Sequence, residues 1–210
     1  MALVSVNEGS GDFMPIVKYD SRAGRIFRVD REDGTSNPVD ITRTFKAIFD
    51  FNNVEVGYIL FRAGGAPDFR MAPYGAVMPP PPTGDYKQGV RLRIKLSKEC
   101  GGDMREMAGT ANAFLRGINA VHDEYLKLSP GQAGKLPVVV LTDTIAVESG
   151  GGAKRSTNYQ PVFSIAGWAL RPSDMPGVEQ PKAATSQMAT PRTVQPTPAA
   201  TAAAASDDFG

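Results

Sequence analysis

The stretch Lys87-Gln88-Gly89-Val90-Arg91-Leu92-Arg93-Ile94-Lys95-Leu96-Ser97 decides how the rest of the chain is read. Val90, Leu92, Ile94 and Leu96 alternate with Arg91, Arg93 and Lys95. A period of two places the four apolar side chains on one face of a strand and the three cations on the other. Such a strand needs a core beneath it and presents a cationic stripe above it. Lys87 and Lys98 prolong the stripe past both ends.

Outward from this strand, the N-terminal side reads as further β structure. Residues 1–14 form a loose arm. Val17–Tyr19 and Gly24–Arg31 read as short strands around a turn at Asp20–Gly24, ended by Arg31-Glu32-Asp33-Gly34, where Asp-Gly favours a turn. Thr44–Asp50 and Val54–Arg62 read as strands joined into a hairpin through Asn52-Asn53. Ala63–Thr83 is read as an irregular surface loop. Its run Pro79-Pro80-Pro81-Pro82 lacks N–H donors and fits polyproline II geometry, either as a rigid spacer or as a docking motif.

On the C-terminal side, Gly101-Gly102 breaks the strand. Asp103 then reads as the cap of a helix running to about Leu128, with Met104, Met107, Ala108, Ala111, Phe114, Leu115, Ile118, Val121, His122 and Tyr125 at helical spacing. Leu136–Val147 and Tyr159–Leu170 read as the remaining core strands, separated by the glycine-rich loop Glu148–Asn158. The expected fold is mainly β with one packed α-helix (α+β): an OB-like, partly open β-barrel of about five to seven strands, spanning residues 1–172. Residues 173–205 are rich in Pro, Ala and Thr and bury too little to offset their ordering entropy, so a disordered linker is expected. Residues 206–210 form an acidic tip.

Charge and composition narrow the function. The 210 residues carry a formal net charge of +1, so the chain as a whole is no polycation. Residues 1–172 hold 21 Lys+Arg against 18 Asp+Glu, whereas residues 173–210 hold 2 against 4. With one cysteine, Cys100, no internal disulfide can form, which suits a reducing cytoplasm. No apolar signal region or membrane-spanning run is read, so a cytoplasmic location is expected.

Catalytic chemistry finds little support. His122 falls on the apolar side of the helix, with no partner at ligand spacing. Cys100 ends a strand with nothing nearby to activate it. The stretch Ser149–Thr157 resembles a phosphate cradle superficially, but it joins two strands and so lacks the helix N-terminus that a nucleotide site uses. No enzyme activity, cofactor or metal is expected.

Single-strand binding needs cations along a backbone and aromatic faces for bases. Lys87, Arg91, Arg93 and Lys95 supply the first, and Lys154 and Arg155 add to them from the glycine-rich loop. Tyr74, Tyr86 and Tyr159 are the candidate platforms, with Tyr58, Phe61 and Trp168 as residues that a core would also claim. A solvated strand face is the plainer explanation of the same charges.

A folded body, a Pro/Ala/Thr/Gln linker and the ending Ser206-Asp207-Asp208-Phe209-Gly210 together resemble the layout of bacterial and phage single-stranded DNA-binding proteins. The acidic run is shorter than in the bacterial members, and Gly210 stands where a Pro-Phe ending is usual. The resemblance implies an OB-fold body that holds single-stranded DNA in replication, recombination or repair. It also implies a tip, Asp207, Asp208 and Phe209, that recruits replication and repair proteins, and a phage or mobile-element origin. The rival expectation is a phage structural or assembly protein without nucleic-acid affinity. A homo-oligomer is compatible with either.

Overall fold

The structure is a computed structural model, and it describes residues 14–32, 35–62, 66–149 and 155–177. Among the described residues there are ten strands and one α-helix: β1 (Ile16–Asp20), β2 (Arg25–Glu32), β3 (Thr35–Asp40), β4 (Lys46–Phe49), β5 (Glu55–Leu60), β6 (Asp68–Pro73), β7 (Lys87–Leu96), β8 (Met104–Gly109), α1 (Asn112–Leu128), β9 (Lys135–Ser149) and β10 (Ser156–Leu170).

The decisive strand behaves as its alternation requires. In β7, Val90, Leu92, Ile94 and Leu96 are buried, while Arg91, Arg93 and Lys95 are half-buried on the opposite face. It is also the hub of the sheet. The order is β10-β9-β4-β7-β8-β1-β2-β3, with β5 pairing a further part of β7 and β6 pairing β5. Neighbours are antiparallel except β1 and β8, which are parallel and share ladder positions only at Ile16/Glu106 and Val17/Met107.

Among the described residues no ladder joins the two ends of this order, so the sheet stays open. It curls enough that the Tyr159 N–H of β10 donates to Ser21 O in the β1–β2 turn, at 2.6 Å. The Tyr19 hydroxyl donates to Tyr159 O at 2.8 Å. The result is the expected mainly-β, partly open barrel-like body with one packed helix.

The helix covers the core. Ala113, Phe114, Gly117, Ile118, Val121 and Tyr125 form its buried side, a stripe at helical spacing that packs on β10. Gly117 makes the approach close: a Cβ there would stand 2.5 Å from Pro161 O of β10. Phe49, Ile94, Leu92, Met107 and Val139 form the centre of the same core.

Four local expectations are corrected. The helix begins at Asn112, not after Asp103, because Met104–Gly109 is strand β8, laddered to β7. As a strand, this segment puts Arg105 and Met107 on the core side. Arg105 is tolerated there because it meets Asp30 and Asp103. Asp103 therefore holds Arg105 and does not cap the helix. Second, Thr44–Asp50 and Val54–Arg62 do not form a hairpin: β4 pairs β7 and β9, while β5 pairs β6 and β7, and Phe51–Asn53 is a 3-10 turn between them. Third, the expected loop Ala63–Thr83 contains β6. Fourth, the strands number ten where five to seven were expected. The extra ones include β3, Thr-Ser-Asn-Pro-Val-Asp, a fully exposed edge strand where Pro38 costs little.

The body also runs past Pro172. The Arg171 guanidinium makes two hydrogen bonds of 2.8 Å to the carboxylate of Asp50, whose side chain is fully buried. Met175 is buried. Gly177 O accepts a hydrogen bond from Asn53 Nδ2 at 2.9 Å. The linker expected over residues 173–205 thus has its first five residues against the body, and the rest lies outside the described residues.

Candidate functional site

The outer face of the sheet carries a cleft of about 810 Å³. The period-two rule places its lining. On β7, Arg91 and Arg93 point outward. Glu106 and Ala108 of β8 lie beside them in register, because Arg93 faces Glu106 and Arg91 faces Ala108. Lys18 projects from β1, opposite the buried Val17. Arg31 comes from β2. Phe61, just beyond β5, and Phe69 of β6 form the far wall. Between the parallel strands β1 and β8 the cleft reaches Tyr19 and Phe114, whose rings stack at 6.0 Å. From β2 to β6 is five strand steps, roughly 24 Å at about 4.8 Å per step.

Among the described residues the lining thus holds four cations, Lys18, Arg31, Arg91 and Arg93, against one carboxylate, Glu106. The cations are not equivalent. Arg91 donates from Nε to Glu106 Oε2 at 2.7 Å, brings Nη2 to 2.6 Å from the same oxygen, and sets Nη1 3.6 Å from Glu55 Oε2. Its guanidinium carbon stands 4.7 Å from the centroid of the Phe69 ring. Phe61 is 53% exposed, an open aromatic face at the rim. Burial pushes the Tyr19 phenol well above its usual range, so it remains a neutral hydrogen-bond donor.

Of the residues singled out from the sequence for binding, Arg91, Arg93 and Phe61 line this cleft. Lys87 is exposed at the start of β7. Lys95 is tied to Asp174. Arg155 pairs with Glu148 at the end of the β9–β10 hairpin, and Lys154 lies outside the described residues. Tyr86 donates its hydroxyl to Asp68 Oδ2 at 2.7 Å. Tyr74 is exposed, but its ring packs edge-on against His122, 4.8 Å away. Tyr159 is half-buried, holding the β1–β2 turn through its backbone. Trp168 is half-buried against Tyr125. Asp207, Asp208 and Phe209 lie outside the described residues.

Sequence reasoning missed Lys18, Arg31 and Phe69. The signal for Lys18 was present: alternation in Ile16-Val17-Lys18-Tyr19 sends Lys18 away from Val17, as it does along β7. Arg31 shares the outward set Arg25, Phe27, Val29 and Arg31. Phe69 carried no usable signal, because its strand was read as loop.

The two residues weighed for catalysis are held otherwise. Cys100 is fully buried and its thiol donates to Thr44 O at 3.1 Å. His122 packs among Phe51, Tyr74 and Tyr125, and burial lowers its pKa. Among the described residues no group of three or more His, Cys, Asp or Glu is placed to hold a metal ion. Nor is any helix among them long and apolar enough to cross a membrane.

The architecture defines a mainly-β, partly open barrel with one helix over its core and a cationic, aromatic-walled cleft on its outer face. Compared with known proteins, the chain matches no family model, no curated protein and no solved structure.

Proposed function

We propose that this protein is a non-catalytic binder of single-stranded DNA, and that the strand runs across the outer-face cleft. One observation carries the reading: Lys18, Arg31, Arg91 and Arg93 share a single cleft with the open aromatic face of Phe61. Cations that follow a phosphate backbone, next to π-faces that accept any base, are what sequence-independent single-strand binding requires. The cleft length of roughly 24 Å, five strand steps of about 4.8 Å, leaves room for several nucleotides. Replication, recombination or repair of phage or mobile-element DNA is the setting that the tail layout favours. Recruitment of partner proteins through Asp207, Asp208 and Phe209 belongs to the same reading.

The test is fluorescence anisotropy of a labelled oligo-dT with the full chain, at low and high salt, with duplex as control. Binding to the single strand that weakens steeply with salt is the expected result. Absence of binding at low salt overturns the reading and favours a structural or assembly protein.

A further inference from the structure

Arg91 is held in the cleft by two carboxylates and an aromatic ring. Nε and Nη2 both engage Glu106 Oε2, at 2.7 and 2.6 Å, and Nη1 lies 3.6 Å from Glu55 Oε2. Glu106 is itself buried. All three guanidinium nitrogens therefore already have carboxylate neighbours, and a phosphate would have to compete with two negative charges for their protons. Its guanidinium carbon lies over the Phe69 ring, 4.7 Å from the centroid. The side chain is nonetheless 33% exposed and lines the cleft. With its nitrogens engaged by carboxylates, what it has left to offer the cleft is the flat of the guanidinium.

We infer that Arg91 is a stacking platform for an unpaired base and not a phosphate contact. The inference rests on the single-strand reading above and deepens it. A guanidinium plane fixed at its edge and backed by an aromatic ring is a rigid, delocalised surface on which a base can lie. Glu106 and Glu55 act as its positioning residues. Lys18 and Arg31, on the neighbouring strands β1 and β2, are then the cations placed to follow the backbone.

Lysine separates the two roles, since Arg91→Lys keeps the charge and removes the plane. The experiment compares wild type and Arg91→Lys on oligo-dT and on an abasic oligomer of the same length, over a salt series. The expected result is about tenfold weaker binding of Arg91→Lys to oligo-dT, the scale of one lost stacking contact. Its affinity for the abasic oligomer and its salt slope should match wild type. Equal affinity of both proteins for oligo-dT overturns the inference. So does a parallel loss on both oligomers with a shallower salt slope, which would make Arg91 a phosphate contact.

Should Arg91→Lys fail to fold, Phe69→Leu carries the test, because it removes the backing ring and leaves the ion pairs. A several-fold loss confined to oligo-dT is expected, and unchanged oligo-dT binding overturns the inference. Failure of the wild-type protein to bind either oligomer is a different result: it removes the single-strand reading itself.

Discussion

Arg105 and Arg91 sit on the paired strands β8 and β7 and meet opposite fates. Arg105 points into the body, where its side chain is 6% exposed. It spans Asp30 Oδ1 at 2.5 Å, Asp103 Oδ2 at 2.7 Å and the carbonyl oxygen of Val29 at 2.7 Å, tying β8 to β2. Arg91 points outward, where it holds Glu106 in the lining of an open cleft and lies 3.6 Å from Glu55. The sequences around them, Met-Arg-Glu-Met and Val-Arg-Leu-Arg, give no sign of which arginine is structural. A buried ion pair is costly to break from one side, because the partner left behind is a desolvated charge. An outward pair gains little in stability and remains available to a ligand. The outer cleft can therefore change its charges while the interior cannot.

The largest effects should fall inside. Arg105→Ala should destabilise the fold by about 3–5 kcal/mol, the cost of leaving a buried pair half-occupied, read as a shift of the urea midpoint. Arg171→Ala should cost a similar amount of about 3–5 kcal/mol, since it strands a fully buried Asp50 carboxylate. If either change costs less than about 1 kcal/mol, the contrast between interior and cleft is lost.

Next in size comes a change outside. Lys18→Glu, at an exposed position in the cleft lining, should move stability by less than about 1 kcal/mol yet weaken single-strand binding by at least about tenfold, roughly 1.4 kcal/mol. Circular dichroism melts and anisotropy on the same sample separate the two. A stability loss as large as that of Arg105→Ala would place Lys18 with the structural cations.

The smallest effects are those of pH. Burial pushes the Asp30 carboxyl up, but the hydrogen bonds and charges of Arg105 and Arg28 outweigh it and hold the group below its ordinary 3.8. A carboxyl whose pKa is depressed by folding contributes stability that is present above 3.8 and lost as pH falls below it. Burial lowers the His122 pKa from 6.5, with the Asp123 charge opposing. Its contribution is full above pH 6.5 and declines as pH falls, because the unfolded chain takes up the proton first. Wild-type Tm should therefore drop slightly between pH 7 and pH 5, and His122→Phe, which keeps the ring packing, should flatten that part of the curve. A drop of the same size in His122→Phe would exclude the histidine as its source.

How much of this was legible depended on how local each signal was. The alternation in β7 foretold both the buried and the outward set, and the stripe from Phe114 to Tyr125 foretold the helix face. The segment Met104–Gly109 misled, because Met104, Met107, Ala108 and Ala111 fit a helical stripe while Arg105 offered no hint of its burial. A strand with a core-facing arginine can only be recognised once Asp30, far away in sequence, is seen to neutralise it. The partners of the tyrosines were hidden for a related reason. Hydroxyl partners such as Asp68 for Tyr86, and the backbone contact of Tyr159 with Ser21, are long-range facts.

By itself the sequence determined the period of each strong element and hence which side chains share a face. It also determined the basic body and the absence of a disulfide, since these are properties of neighbouring residues and of counts. Tertiary structure alone decided which faces meet. It set Lys18, Arg31 and Phe69 beside Arg91 and Arg93, it sealed Arg105 inside, it joined Lys95 to Asp174, and it laid the Tyr159 backbone against Ser21 and Tyr19. Sheet order and register are fixed by burial summed over the whole chain, so a cleft assembled from six strands cannot be read from any one of them.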